Sequence, residues 1–267
     1  MVPCGPLVLL GGGTVPHVAS SSRSSESHRH DLAEEPSHLV VISPGAANTS
    51  PRALVQGAKT LRRAGASHFV LREPHLSPRD ARNVARRLAK VYKNEALIMH
   101  VKTPEAKILA KELGLGLHLT ESDDWKKERK MWSGALGVSA HSHMQVVNAA
   151  RLGIQWAFLS PVARPTSKPF DTRPVLGEVR IARAQEAAPE IVVYGLGGIT
   201  CASASRLTYL GVRGVAVLGG VWSQDDGNVL RADAAAAARY KAATLSVCTR
   251  KTEKRRSFIP RLQNVVR

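Results

Sequence analysis

Aromatic residues, cysteines and long apolar runs are scarce in this chain of 267 residues, and each scarcity excludes a class of protein. Phe, Trp and Tyr make up 4% of the sequence, too few for a surface that stacks successive nucleic-acid bases. The three cysteines, Cys4, Cys201 and Cys248, have no paired spacing, which argues against a zinc site or a disulfide framework and indicates a reducing compartment. No segment approaches the roughly 20 apolar residues that a membrane-spanning helix needs.

Acidic residues are also few, since 21 Asp and Glu stand against 38 Lys and Arg and give a net charge of +17. Much of this excess lies in residues 237–267, which contain nine basic residues and one acidic residue, a net charge of +8. We interpret this segment as a basic tail outside the folded domain. Such runs are more typical of a solvated surface than of a nucleic-acid site, and charge alone leaves nucleic-acid binding as the alternative.

Residues 1–37 have the composition of a disordered lead, with a glycine triplet and a serine-rich stretch. The short apolar patch at residues 7–10 has no basic residue before it, which argues against a secretory signal. Serines would suit an organellar transit peptide, whereas Asp31, Glu34 and Glu35 would not. We therefore expect a cytoplasmic protein, with an organellar location as the alternative.

Between residues 38 and 236, short β-branched apolar runs alternate with longer amphipathic segments. Eight such runs, each followed by a segment long enough for a helix, predict parallel strands with crossover helices. About 200 residues of this pattern favour one (β/α)8 TIM barrel, an α/β fold, over an open sheet. The predicted strands are residues 38–42, 67–71, 96–99, 115–119, 135–138, 156–159, 191–194 and 214–218; the predicted helices are 51–64, 78–92, 104–113, 143–152, 175–187 and 202–210.

The residues that directly follow the strands are the candidate site residues, because TIM-barrel active sites form at the carboxyl ends of the strands. Arg72 follows the second strand, and Ser139 and His141 follow the fifth. Asp123 follows the fourth and could hold Mg²⁺ through water, with Glu121 and Asp124 as competing carboxylates. Because these positions are polar, small or charged, the set indicates a phosphorylated ligand.

Three loops at the same end of the barrel have phosphate-binding character. Glycine-rich segments at residues 195–200 and 218–220 would let backbone N–H groups approach a phosphate, although tight turns alone also explain glycine. Residues 160–169 contain Thr166, Ser167 and Lys168 between prolines, a stiff basic loop suited to phosphate or pyrophosphate. A solvated basic loop is the alternative there.

Six motifs occur in a fixed order along the barrel segment: Val70-Leu71-Arg72-Glu73, Gly116-Leu117-His118-Leu119, Gly137-Val138-Ser139-Ala140-His141-Ser142, Ser160-Pro161-Val162 with Thr166-Ser167-Lys168-Pro169, Gly197-Gly198-Ile199 and Gly214-Val215-Ala216-Val217. Their order resembles the thiamine phosphate synthase/TenI family over residues 38–222. The resemblance implies a barrel that joins hydroxymethylpyrimidine diphosphate to hydroxyethylthiazole phosphate and releases pyrophosphate. Small phosphorylated substrates would be its partners, and whether it forms a homo-oligomer stays open.

The resemblance also implies a role for each matching residue and a Mg²⁺ cofactor that stabilises the departing pyrophosphate. His141 would supply acid–base catalysis where the reaction needs it. By position, Arg72, Ser139 and Lys168 would hold the diphosphate, Asp123 would bind Mg²⁺, and Thr166, Ser167, Gly198, Leu218 and Gly219 would surround the thiazole phosphate.

The chain departs from the family pattern at two places. Pro74 stands where the family usually has Lys. Where the family carries Asn-Asp after the third strand, this sequence has Met99-His100-Val101-Lys102-Thr103 with no acidic residue until Glu105, so one expected magnesium carboxylate is missing. These departures leave three functions open. The first is a synthase of full or altered activity. The second is a thiazole tautomerase of the same family, in which His141 moves the proton and no metal is needed. The third is a noncatalytic protein that binds a phosphorylated ligand.

Overall fold

The computed structural model describes residues 39–45, 49–93, 96–101, 103–165, 170, 172–224 and 230–257. Eight parallel strands form a closed barrel in chain order, which confirms the predicted TIM barrel. The predicted lead, residues 1–37, lies outside the described residues. The barrel strands are β1 Leu39–Ile42, β2 His68–Leu71, β3 Leu97–His100, β4 Gly116–Leu119, β5 Leu136–Ala140, β6 Trp156–Leu159, β7 Val192–Leu196 and β8 Gly214–Val217.

The helices between the strands begin where the sequence offers a cap. Ser50, Ser77 and Thr103 each accept a backbone N–H of the first turn, and proline follows each of them. The described residues contain α1 Pro51–Arg63, α2 Pro78–Ala89, α3 Pro104–Leu113, α4 Trp125–Met131, α5 His143–Arg151, α6 Gly177–Ala187, α7 Cys201–Tyr209 and α8 Ala234–Ser257. Among these helices, none combines the length and apolar character that crossing a membrane would take.

Helix α4 and two strands that follow the barrel were not predicted from the sequence. Helix α4 has only seven residues, and most of them are charged, so its apolar periodicity is weak. Strands β9 Trp222–Gln224 and β10 Leu230–Ala232 form a separate antiparallel pair after the barrel. The indole N–H of Trp222 donates to the carbonyl oxygen of Ile42 at 2.9 Å, which attaches this pair to β1.

Side chains that alternate along the strands fill the barrel interior and form the floor of its open end. Val40 and Ile42 of β1 point inward, whereas Leu39 and Val41 pack under the helices. The inward set continues around the barrel with Val70, Ile98, Trp156, Phe158, Tyr194 and Ala216. Because the interior is packed, any ligand site must lie above this layer, at the strand ends.

Helix α8 continues through the point at which the sequence analysis placed the start of a basic tail. It begins at Ala234, so the predicted boundary between residues 236 and 237 falls inside the helix. Ala237, Tyr240 and Thr244 are buried, and the helix packs on α7. The segment up to at least Thr244 is therefore part of the helical layer around the barrel.

Candidate active site

A cavity of about 680 Å³ lies at the carboxyl ends of the strands, and all eight barrel strands contribute to its wall. Six of the sequence-predicted site residues meet here: Arg72, Ser139, His141, Gly198, Leu218 and Gly219. Thr166, Ser167 and Lys168 lie outside the described residues. The TIM-barrel pattern therefore places most of the described candidates in one cavity.

Arg72 is held at the end of β2 by the loop that follows β1. Its backbone N–H donates to the hydroxyl of Ser43 at 2.7 Å. Gly45 has a φ of +69°, and a Cβ atom there would lie 2.8 Å from the Nη1 atom of Arg72. The backbone N–H of Gly45 in turn donates to Glu73 Oε1 at 2.9 Å. Burial raises the pKa of Glu73, while the Gly45 hydrogen bond opposes that rise.

Ser139 belongs to a hydrogen-bonded chain that begins deep in the barrel. The indole N–H of Trp156 faces His118 Nδ1 at 3.3 Å, and His118 Nε2 lies 2.9 Å from Ser139 Oγ. Because an indole nitrogen only donates, Nδ1 accepts and Nε2 carries the proton that is donated to Ser139. The hydroxyl proton of Ser139 can then be donated to a ligand oxygen.

His118 is neutral in this chain. It is only 1% exposed, and burial, with a smaller contribution from His100, lowers its pKa well below the ordinary value. Its ring stacks on Phe158 with the centroids 4.3 Å apart, and both rings line the cavity. The cavity floor is thus aromatic and uncharged.

His141 presents a basic nitrogen to the cavity. Its Nδ1 lies 2.8 Å from the carbonyl oxygen of Ser160, and because a carbonyl only accepts, Nδ1 carries the proton. The Nη1 atom of Arg173 lies 2.7 Å from Nε2 and 3.0 Å from Nδ1, and Glu121 Oε2 lies 3.5 Å from Nε2. Because a guanidinium only donates, Nε2 accepts from Arg173, and the imidazole is oriented by Ser160 and Arg173 together.

The first predicted phosphate loop packs against the segment that follows β6. Gly197 and Gly198 have φ values of +89° and +63°, and a Cβ atom on Gly198 would lie 2.7 Å from the backbone of Ala163. The N–H of Ala163 donates to the Gly197 carbonyl at 3.0 Å. Glycine is therefore required here for turn geometry and close approach, and phosphate binding at Gly198 stays a prediction.

The second predicted phosphate loop, at Gly219 and Gly220, shares a support with the first. The hydroxyl of Tyr240 donates to the carbonyl oxygen of Ile199 at 2.8 Å, and a Cβ atom on Gly220 would lie 2.5 Å from the Tyr240 oxygen. Helix α8 thus contacts both loops. The sequence analysis assigned Tyr240 no role, because it placed the residue in the tail.

Comparison with known proteins supports the family suggested by the motifs. The sequence profile described as thiamine monophosphate synthase (TMP-TENI) matches residues 39–221, which is more than half of the chain. The chain belongs to this family. The thiamine-phosphate synthase of Chloroflexus aurantiacus is 28% identical over 205 residues, which are 76% of this chain and 88% of that protein.

Other relatives match a shorter part of the chain. The thiamine-phosphate synthase of Geobacillus kaustophilus is 32% identical over 110 residues, 40% of this chain, so the match spans about half of that protein's length (49%). Among solved structures, a thiamine phosphate pyrophosphorylase from Pyrococcus furiosus aligns with a TM-score of 0.63 and 18% identity over 79% of this chain and 96% of that chain. At that identity the structural likeness supports the fold alone.

Thiamine monophosphate synthase family members typically depend on magnesium, but the carboxylates among the described residues are not grouped to hold it. Asp123 lies in a neighbouring depression beside Glu121, and its Oδ2 accepts from the N–H and the hydroxyl of Thr120 at 2.6 and 2.7 Å. At the end of β3 the cavity wall carries the imidazole of His100, whereas Mg²⁺ prefers oxygen ligands.

Within the described part of the chain, no three His, Cys, Asp or Glu residues are grouped to hold a metal ion. The described acidic residues therefore do not fit a magnesium site built on paired carboxylates. The assignment of Asp123 as a metal ligand stays a prediction from the sequence.

Proposed function

We propose that this chain is a transferase that condenses hydroxymethylpyrimidine diphosphate with hydroxyethylthiazole phosphate to give thiamine phosphate and pyrophosphate. The observation that supports this proposal is a single cavity whose described lining contains both arginines and glycine loops. Its volume of about 680 Å³ is within the range of small-molecule sites and suits two phosphorylated rings.

The arginines in the cavity lining suit the diphosphate. Breaking the bond between the pyrimidine methylene carbon and the diphosphate oxygen leaves the electron pair on pyrophosphate and a cation on the pyrimidine. Arg72 and the hydroxyl of Ser139 would donate hydrogen bonds to the oxygens on which negative charge develops. The thiazole nitrogen then supplies the electron pair of the new carbon–nitrogen bond, so no proton needs to move.

The aromatic floor suits the pyrimidine cation. Because burial keeps His118 neutral, its imidazole adds no positive charge beside the developing cation. The stacked rings of His118 and Phe158 present a flat apolar surface on which a planar heterocycle can lie. The backbone around Gly198, Leu218 and Gly219 would hold the thiazole phosphate across the cavity.

Thiazole tautomerisation is the second candidate, and the orientation of His141 favours it. Its Nε2 is the unprotonated nitrogen, and Glu121 Oε2 lies 3.5 Å away. An imidazole and a carboxylate so placed can take a proton from one ring atom and return it to another. This reaction needs neither a diphosphate nor a metal.

A mixed-substrate assay tests the two functions. Purified full-length protein, supplied with both substrates and Mg²⁺, is expected to yield thiamine phosphate and an equal amount of pyrophosphate. Lys168→Ala is expected to abolish the product, because the resemblance assigns this cation to the diphosphate. Lys90→Ala removes an exposed lysine on the outside of the barrel and is the matched control.

The other outcomes identify the alternatives. Absence of product, together with proton exchange on the thiazole phosphate that His141→Ala removes, would support the tautomerase. Binding of either phosphorylated substrate without turnover or exchange would support a noncatalytic ligand-binding protein.

A further inference from the structure

We propose that Arg72, Arg164 and Arg173 bind the diphosphate group directly and make its binding independent of a divalent cation. This inference rests on the proposed function, which supplies the diphosphate. All three arginines line the cavity, and Glu121 is the one carboxylate among its described lining residues. The Glu121 side chain is 49% exposed and accepts a hydrogen bond from Gln145 Nε2 at 2.6 Å, so arginines outnumber carboxylates in the described part of the lining.

The segment between β6 and α6 brings Arg164 and Arg173 to the cavity. Where this segment starts, the N–H of Val162 donates to the carbonyl of Leu196 at 2.9 Å. Where it returns, the N–H groups of Leu176 and Gly177 donate to the carbonyls of Pro161 and Val162 at 2.9 and 3.0 Å. The two ends of the segment are therefore joined to each other and to β7, which fixes the base of the loop that carries both arginines.

Contacts with neighbouring residues orient two of the guanidinium groups. The Nη1 atom of Arg173 lies 2.7 Å from His141 Nε2, and both residues line the cavity. Arg72 lies against the backbone of Gly45, a position that a side chain at residue 45 would obstruct. Orienting the donors before the ligand arrives reduces the entropy lost on binding.

Guanidinium chemistry matches what a diphosphate offers. Each guanidinium can donate two parallel N–H bonds to neighbouring phosphate oxygens, and its charge persists at any ordinary pH. Three such groups can neutralise the charge that Mg²⁺ would otherwise neutralise. This agrees with the described cavity wall, where the imidazole of His100 stands at the end of β3 and where Asp123 is absent.

Titration calorimetry of full-length protein with inorganic pyrophosphate tests the inference. We expect binding in the presence of EDTA, with an affinity that Mg²⁺ changes less than about threefold. Arg164→Gln and Arg173→Gln should each weaken binding by about tenfold or more, since each removes a charge-assisted hydrogen-bonding group. Arg180→Gln makes the same change on an exposed face of α6 and should leave the affinity unaltered.

Pyrophosphate binding that appears only with Mg²⁺ and that Asp123→Asn abolishes would overturn the inference, as would the absence of binding under both conditions. The result is separable from the proposed function, because no turnover is measured. Binding in EDTA without product in the mixed-substrate assay would refute the synthase and leave the arginine site in place. Product formation together with pyrophosphate binding that strictly requires Mg²⁺ would support the synthase and refute the arginine site.

Discussion

The Nε2 atom of His118 lies 2.9 Å from the Oγ atom of Ser139, and the indole of Trp156 decides which of the two donates. The three residues come from β4, β5 and β6, so the barrel itself assembles the chain. Within the barrel, His118 pairs with Gly137, and Gly137 pairs with Trp156. Because Gly137 has no side chain, the indole can reach past it to the imidazole.

Trp156→Phe is expected to release the His118 ring from its single tautomer and to destabilise the fold. The variant leaves a buried ring nitrogen without its donor, which costs about 1–3 kcal/mol of unfolding free energy. Urea unfolding measures the loss, and ¹⁵N shifts of His118 measure the tautomer. Trp132→Phe, which removes a hydrogen bond from a partly exposed indole to Ala135, is the control. Equal losses in both variants with an unchanged tautomer would refute the assignment.

Gly137→Ala is expected to be poorly tolerated, because the added methyl would lie 2.0 Å from Trp156 Nε1. Overpacking of this kind costs about 1–3 kcal/mol or more. Combining it with Trp156→Leu should give a smaller loss than the sum of the single variants, since the two residues compete for one space.

Gly219→Ala is the control, because its added methyl meets no atom within 4 Å and should change the unfolding free energy by less than about 0.5 kcal/mol. Additive losses would show that the contact is not formed.

Tyr240→Phe is expected to loosen both glycine loops. Removing one hydrogen bond to Ile199 should lower the unfolding free energy by about 1 kcal/mol. Amide hydrogen exchange should speed up at residues 197–199 and 219–220, and the affinity for the thiazole phosphate should fall. Tyr209→Phe changes a tyrosine that is 66% exposed and should alter neither quantity. Faster exchange spread over the whole barrel would instead indicate a general loss of stability.

Acidification is expected to destabilise the fold through histidines whose pKa is lowered, chiefly His68. Burial, together with Arg62, lowers the pKa of His68 from its ordinary value of 6.5 to about 4. Between these two values the unfolded chain binds more protons than the folded one, so stability is present above pH 6.5 and is lost as the pH falls toward 4. His68 alone should account for a loss of about 2 kcal/mol between pH 7 and pH 5.

Unfolding curves of His68→Gln over this pH range check the assignment. The variant should lose less stability on acidification than the unmodified chain. Part of the pH dependence should remain, because the pKa of His118 is lowered in the same direction. His143→Gln replaces an exposed histidine and should retain the full pH dependence. Parallel curves for all three proteins would contradict the burial of His68.

The barrel could be predicted from the sequence because its strands are buried on both faces. Runs such as Leu39–Ile42 and Gly214–Val217 are apolar throughout. A proline directly after a hydroxyl residue indicates where α1, α2 and α3 begin. Knowing the strands fixes which residues follow them, which is why Arg72, Ser139 and His141 could be placed in one cavity.

The remaining features depend on contacts that no local pattern encodes. Helix α8 buries mainly alanines in its first turns and carries many charges later, so the sequence resembles a solvated tail. Arg173 lies in a segment without periodicity, and its contact with His141 spans 32 residues. The bond between Trp156 and His118 spans 38 residues and follows from strand register rather than from composition.

The contact between Tyr240 and Ile199 also bears on the order in which the protein matures during translation. The ribosome completes all eight barrel strands before it reaches Tyr240, which follows Ile199 by 41 residues. A nascent chain folds from its amino-terminal end, so the barrel can close while both glycine loops still lack their support. The two glycine loops therefore gain the support of Tyr240 only after α8 leaves the exit tunnel and docks.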